Sequence, residues 1–247
     1  GTLGIITQAV LKLFPKPKAH ATAMVAVKSL DHALALLNEL QEGTGGAVAA
    51  YEYMPKRYIQ GYMELSSSSR KPFQKDYDHL VMIELETTVE LFSRPTDDGQ
   101  VLLSDELERI LNKNLVDGSI LDAHIAQNEE QRLIMWERRE AAAEISLLKK
   151  PLINNYIAVP LEKISEFLTI MEKKLPELDP EADVLIVSHL GDGNVHYTVW
   201  PSLDEEKHKD KIMEEIENVV LLLGGSFSAE HGIGISKLSS MERRKDS

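Results

Sequence analysis

Two histidines flank a Gly/Asp/Asn segment in SHLGDGNVHYTVW, residues 188–200. If GDGN (191–194) turns the chain, Leu190 pairs with Val195 and His189 with His196. Directly opposed residues on antiparallel strands share a face, with Cβ atoms about 4.5–5.5 Å apart. That spacing suits two imidazoles on one ion at about 2.0–2.1 Å per bond. The glycines permit the positive φ of a tight hairpin. A slip of one residue would put the histidines on opposite faces. Asp192 reads as a turn residue rather than a ligand. A third donor comes from SFSAEHGIG (226–234), where Glu230 precedes His231 and a Gly-x-Gly turn. Two imidazoles and a carboxylate form a common set for a divalent ion that keeps a position open. Neighbouring side chains on extended backbone diverge, so His231 is left free to act as a base nearby. The plainer alternative is a cross-strand histidine pair, hydrogen-bonded within the sheet.

Composition narrows the chemistry. The 247 residues include no cysteine, so thiolate ligands and disulfides are excluded and N/O donors must serve. Zn²⁺ or Mn²⁺ suits such donors. The net charge of −13 argues against coating nucleic acid or an anionic membrane by charge. An anionic substrate would need a local cationic group. No apolar run approaches the roughly 18 residues of a membrane span. GTLGIITQAVLKLF has no basic leader before an apolar core. The sequence opens without Met inside a Gly-rich motif and stops in a charged run, which reads as a piece of a longer polypeptide.

The elements that must position these residues alternate between strand and helix. GTLGIITQ reads as a Gly turn and a short apolar strand, and PKPK (15–18) as a boundary. TAMVAVKS is a strand, followed by a helix in LDHALALLNELQE with Ser29 as cap. AVAAYEYM is a strand, KRYIQGYMEL a helix and HLVMIELETT (79–88) a strand. SRPTDDGQ (93–100) is a loop before SDELERILNKNL, a helix with Ser104 as cap. One longer helix covers roughly 127–147. NNYIAVP (154–160) is a strand, LEKISEFLTIMEKKLPEL a helix, and KHKDKIMEEIENVVLLLGG a helix stopped by Gly224–Gly225. Residues 24–41 resemble 156–174 in pattern, each a buried strand followed by an amphipathic helix. The predicted class is α+β: an antiparallel sheet covered by helices on one face, built from two ferredoxin-like β-α-β halves.

HLGDGNVH (189–196), EHGIGISK (230–237) and GTLGIIT (1–7), with MWERRE (135–140) and the strand ending in AVP (158–160), resemble the FAD-linked D-2-hydroxy-acid dehydrogenases. This group of vanillyl-alcohol-oxidase-like flavoproteins includes D-lactate dehydrogenases, glycolate oxidase flavin subunits and D-2-hydroxyglutarate dehydrogenase. The resemblance implies a substrate or cap domain over 19–247, truncated at its C-terminus, with 1–18 as the tail of a preceding FAD-binding domain and its linker. It implies His189, His196 and Glu230 as metal ligands and His231 as the residue that takes the hydroxyl proton. It implies Arg139 and Asn194 as substrate-binding residues, Arg139 gripping the carboxylate. A guanidinium suits that bidentate task; the alternative for Arg139 is a solvated helix face. Trp136 reads as core packing. The backbone of Gly4, Ile5 and Ile6 is implied to contact FAD, against the alternative of a buried strand. Asn154, Thr198 and Ala143 stand where D-2-hydroxyglutarate dehydrogenase has lysine, asparagine and threonine for a distal carboxylate. These departures argue against 2-hydroxyglutarate.

The implied activity is oxidation of a D-2-hydroxy acid to the 2-oxo acid, with FAD bound mostly outside this chain. The expected partners are the small substrate and an unspecified electron acceptor, with no nucleic acid; a homodimer is compatible. The expected location is the cytoplasm, or the mitochondrion in a eukaryote. A metal-dependent hydrolase and a non-catalytic α+β binding module remain as rivals on the residues alone.

Overall fold

The structure, a computed structural model, describes residues 4–65, 68–96 and 99–244. The first three residues of GTLGIIT, two of the 93–100 loop and the last three of the chain lie outside them.

The first half runs β1 (Ala19–Val27), α1 (Leu30–Gly43), β2 (Val48–Tyr53), α2 (Lys56–Leu65), β3 (His79–Thr87), α3 (Leu102–Asp117) and β4 (Ile120–Ile125). Two helices, α4 (Glu129–Glu140) and α5 (Ala142–Ser146), lead into the second half. That half runs β5 (Ile153–Ala158), α6 (Ile164–Leu178), β6 (Asp183–His189), β7 (Asn194–Trp200) and α7 (Glu206–Leu222), followed by α8 (Leu238–Arg244). The strands form one antiparallel sheet in the order β4-β1-β3-β2-β6-β7-β5.

The order β4-β1-β3-β2 is that of a ferredoxin-like unit. The second half repeats it as β6-β7-β5, and an isolated bridge between Ala158 and Ser226 stands beside β5 where a fourth strand would lie. The sequence repeat at 24–41 and 156–174 falls on β1–α1 and β5–α6. The halves join where β2 meets β6, through Glu52↔His189 and Tyr53↔Ser188.

Helices cover both faces, not one. On the first face, Ala23, Val25, Ile83, Val195, Tyr197 and Val199 pack under α1, α3, α6 and α7, with Leu40, Ile110, Phe167 and Ile216 fully buried. On the other, Met24, Ala26, Met82, Leu185, Val187 and Trp200 pack against Tyr58 of α2, Met135 of α4 and Ile145 of α5. The apolar runs MVAV and LVMI required this, because consecutive strand residues point to opposite faces and both must be buried.

Ser29 caps α1 as expected, accepting from the His32 N–H. Ser104 does not cap α3. The helix starts earlier, at Leu102, and has no side-chain cap, which brings the fully buried Leu103 into its first turn. The expected helix over 127–147 breaks at Ala141 into α4 and α5, and Asn128 caps α4. Strand β4 was not expected. The described part of GTLGIITQ does not form the expected strand: residues 4–17 carry no regular secondary structure, and Ile5 and Ile6 are 92% and 88% exposed. A strand needs a partner edge, and this segment pairs with none among the described residues.

Candidate functional site

The β6–β7 hairpin carries both histidines, in a register two residues away from the expected one. His189 pairs with Asn194, Ser188 with Val195 and His196 with Val187. The loop is therefore Leu190–Gly193. Leu190 leaves the ladder because it is fully buried and its N–H donates to Tyr51 O, 2.9 Å away on β2. Asp192 is a turn residue, as expected: its Oδ1 accepts from the Asn194 N–H at 3.0 Å. Gly193 has φ +80°, and a Cβ there would lie 2.4 Å from Val159 O. A two-residue shift preserves the face, since side chains alternate with period two. The rings of His189 and His196 stand diagonally, with centroids 5.3 Å apart.

Glu230 completes the group. Its carboxylate and the two imidazoles each offer a donor atom, all within 4.8 Å of one another. Glu230 Oε1 lies 2.6 Å from His196 Nε2. The two meet without the alignment of a hydrogen bond, and Nε2 is buried with no hydrogen-bond partner. Burial pulls the His196 pKa down to about 4, against the pull of Glu230. The ring is therefore neutral near pH 7 and keeps a lone pair. Burial raises the Glu230 carboxyl, but the Asn194 hydrogen bond and the nearby imidazoles outweigh it and hold the group ionised. A neutral imidazole nitrogen and a carboxylate oxygen facing one point are what a divalent cation requires.

The other ring is oriented from β2. His189 Nδ1 lies 2.9 Å from Glu52 Oε1. That hydrogen bond raises the His189 pKa, outweighing burial. Glu52 is 5% exposed, and its second oxygen accepts from Arg139 Nε of α4 at 2.5 Å. For Glu52, burial is outweighed by His189 and Arg139, and its pKa falls. Arg139 is buried, so the solvated-face alternative is excluded; its Nη2 lies 3.1 Å from His189 Nε2. Asn194 Nδ2 donates to Glu230 Oε1 at 3.0 Å, and its Oδ1 is buried without a partner.

Tyr156 of β5 forms the floor beneath two histidines. Its ring centroid lies 4.8 Å from that of His196 and 4.4 Å from that of His231. His231 is exposed and has φ +62°, the left-handed region, in a loop with little regular structure. Lys237, 8% exposed, clasps that loop: its Nζ donates to Ser228 Oγ at 2.9 Å and to Glu230 O at 3.0 Å.

His189, His196, Glu230, Asn194 and Arg139 thus converge, with His231 alongside. Gly4, Ile5 and Ile6 stand in the exposed segment before β1, outside the cluster. Trp136 packs partly against the core and donates to Glu84 Oε2 at 2.8 Å. Glu52, Tyr156 and Lys237 were not anticipated. Glu52 had one signal, a charge between two aromatic residues of a strand; Lys237 closes the EHGIGISK motif but was given no role of its own.

His20, Glu84 and Glu86 form a second group of close donors. Glu84 is already saturated there by Thr22, Arg132 and Trp136, and its charge is matched by Arg132. The first group, by contrast, keeps a buried ring nitrogen, His196 Nε2, without a hydrogen-bond partner.

A family model described as FAD linked oxidases, C-terminal domain, matches residues 16–247. The chain belongs to that family. Among the curated relatives of this FAD-linked oxidase domain, the mitochondrial D-2-hydroxyglutarate dehydrogenase of Arabidopsis thaliana is 28% identical over 98% of this chain and 41% of its own length. The glycolate oxidase subunit GlcD of Bacillus subtilis is 27% identical over 99% and 49%. The D-lactate dehydrogenase of Anaerostipes hadrus is 28% identical over 96% and 49%. The chain spans less than half the length of each.

Two solved structures share the fold. Alkyldihydroxyacetonephosphate synthase superposes with a TM-score of 0.56 at 15% identity, over 92% of this chain and 43% of that one. p-Cresol methylhydroxylase with substrate bound gives 0.54 at 8% identity, over 85% and 45%. At these identities the likeness concerns the fold alone. The converging donors are two imidazoles and a carboxylate, a set that suits a cation rather than the phosphates of FAD. No helix among them is long and apolar enough to cross a membrane.

Proposed function

We propose that this chain is the substrate- and metal-binding part of a flavoprotein that oxidises a D-2-hydroxy acid to the 2-oxo acid. The observation that carries the reading is the convergence of His189, His196 and Glu230 within 4.8 Å, with His196 Nε2 buried and unpaired. Membership of the FAD-linked oxidase family favours this redox reading over hydrolysis or a structural histidine pair.

His189, His196 and Glu230 would hold a divalent ion, zinc or manganese, which supplies a Lewis acid when bound. FAD, the cofactor in this reading, would be held mostly by residues other than these, with Gly4, Ile5 and Ile6 the stretch of this chain proposed to reach it, and the final electron acceptor is left open. Arg139 gives Nε to Glu52 and Nη2 to His189, and binds the substrate carboxylate through its Nη1 side. Asn194 orients the same substrate from the hairpin. His231 stands beside the ligands rather than among them, and takes the proton of the 2-hydroxyl. Asn154 and Thr198 line the neighbouring strands, and the Thr198 hydroxyl donates to Asn154 Oδ1 at 2.8 Å. This neutral pair offers no cation for a second carboxylate, which favours monocarboxylic hydroxy acids.

The test uses the full-length protein. Metal analysis and anaerobic mixing with D-2-hydroxy acids should show one bound divalent ion and bleaching of the flavin. Absence of flavin, or of reduction by every D-2-hydroxy acid tried, would overturn the reaction. Absence of a stoichiometric ion would overturn the metal site.

A further inference from the structure

We propose that Glu52 is a positioning residue that holds His189 as the Nδ1–H tautomer and aims the Arg139 fork, so that one buried carboxylate orients a metal ligand and a substrate-binding arginine together. The inference rests on the metal-site reading above and adds a residue that lies in neither histidine motif.

Glu52 sits on β2, directly opposite His189 in the short ladder that joins the two halves. Its neighbours Tyr51 and Tyr53 point into the helix-covered core, while Glu52 faces the site. A carboxylate this buried needs full compensation. Its oxygens are divided: Oε1 meets His189 Nδ1 at 2.9 Å, and Oε2 accepts from Arg139 Nε. The division has a chemical consequence. Arg139 Nη2 lies 3.3 Å from His189 Nδ1 and 3.1 Å from Nε2. A guanidinium is a donor only, so it cannot hold a proton on either ring nitrogen. Glu52 is the acceptor that draws the proton to Nδ1. The lone pair is then left on Nε2, where it accepts from Arg139 Nη2 in this structure and would ligate an ion in place of that contact. A carboxylate behind a ligating imidazole also raises its basicity. The same contact uses Arg139 Nε; with Nη2 against His189, Nη1 is left for a ligand.

The proposal is tested on the full-length protein stripped of metal, by Zn²⁺ titration at pH 8 of three forms: the parent, Arg139→Met and the double variant Glu52→Met/Arg139→Met. Removing both charges leaves no uncompensated buried ion, so the double variant is expected to fold. The double variant should bind Zn²⁺ about 10–100-fold more weakly than Arg139→Met, the usual effect of losing a carboxylate behind a ligand. Equal affinities would overturn the proposal. Long-range ¹⁵N–¹H correlation of His189 in the metal-free parent provides a readout that does not depend on any variant folding. It should show the proton on Nδ1; a proton on Nε2 would overturn the proposal. His189→Ala and His196→Ala separate this from the underlying reading. If both still bind Zn²⁺ like the parent, the metal site itself is wrong. If both lose it while the double variant matches Arg139→Met, only the role of Glu52 is wrong.

Discussion

His189 and His196 face each other diagonally across the β6–β7 ladder: His189 is paired with Asn194, His196 with Val187, and their ring centroids are 5.3 Å apart. A diagonal pair can converge on one ion only through side chains that lean together, which makes the site depend on what holds each ring. Glu52 holds one, and Tyr156 and Glu230 flank the other. Metal content should therefore fall from one ion per chain to none in His189→Ala and in His196→Ala of the full-length protein. Glu230→Gln, which keeps shape and loses charge, should weaken the ion without abolishing the fold. Unchanged metal in both histidine variants, measured by mass spectrometry after dialysis, would refute the assignment.

The hairpin's geometry makes its own prediction. Gly193 combines φ +80° with a backbone oxygen, Val159 O, 2.4 Å from where a Cβ would stand. Gly193→Ala is strained in both respects and should cost about 1–3 kcal/mol, read as a lower urea midpoint. Gly118, also at positive φ but with nothing within 4 Å of its Cβ position, isolates the backbone part. Gly118→Ala should cost less than Gly193→Ala. Equal losses would mean that the close approach to Val159 is relieved by a small shift.

The three convergent donors were legible because His189, His196 and Glu230 stand in two compact motifs, and period-two alternation put both histidines on one face in either register. The register itself was not legible. It depends on Leu190, whose burial and bond to Tyr51 are made with β2, more than a hundred residues earlier. The same distance hid Glu52, whose partners Arg139 and His189 lie 87 and 137 residues away. Both helix layers could have been inferred from MVAV and LVMI, which leave no polar face to solvent. Ser104 misled because a serine before acidic residues resembles a cap even when the preceding leucines are already helical.

A second buried carboxylate sets a pH dependence away from the site. Asp179 is 3% exposed; burial raises its pKa, but the His208 ring and the backbone N–H groups of Ser202 and Glu181 outweigh this and lower it to about 2. A carboxyl with a depressed folded pKa stabilises the fold above its unfolded value, near 3.9, and that contribution is lost as pH falls through about 2. The shift corresponds to about 2 kcal/mol. Asp179→Asn should be less stable than the parent by that order at pH 6–7, and the gap should close as pH approaches 2. A gap that stays constant with pH would assign the loss to packing instead.

Substrate choice follows from the neutral Asn154–Thr198 pair. In the full-length protein, kcat/KM for D-lactate-like monocarboxylates should exceed that for D-2-hydroxyglutarate. Asn154→Lys places a cation on the same strand face as Tyr156. It should improve the dicarboxylate by the equivalent of about 1.5–3 kcal/mol, the size of a charged hydrogen bond. A dicarboxylate preferred by the parent, or no response to the lysine, would remove these positions from specificity.

His231 tests the chemistry most directly. It is not one of the three convergent donors, it meets the Tyr156 ring edge-on, and its backbone sits at φ +62°. A substitution that disturbed that backbone would move Glu230 as well, and the two roles would be confounded. Asparagine tolerates the left-handed region better than most residues, so His231→Asn removes the base with least strain. The variant should keep its metal and flavin and slow flavin reduction by about 10²–10⁴-fold, the usual contribution of a positioned general base. Anaerobic stopped-flow of flavin bleaching by a D-2-hydroxy acid, with metal analysis on the same sample, decides between three outcomes. Slow reduction with metal retained supports the base. Near-normal reduction removes it from the mechanism. Slow reduction with metal lost makes it a support for Glu230, a role for which the Lys237 clasp on the same loop already provides the structural means.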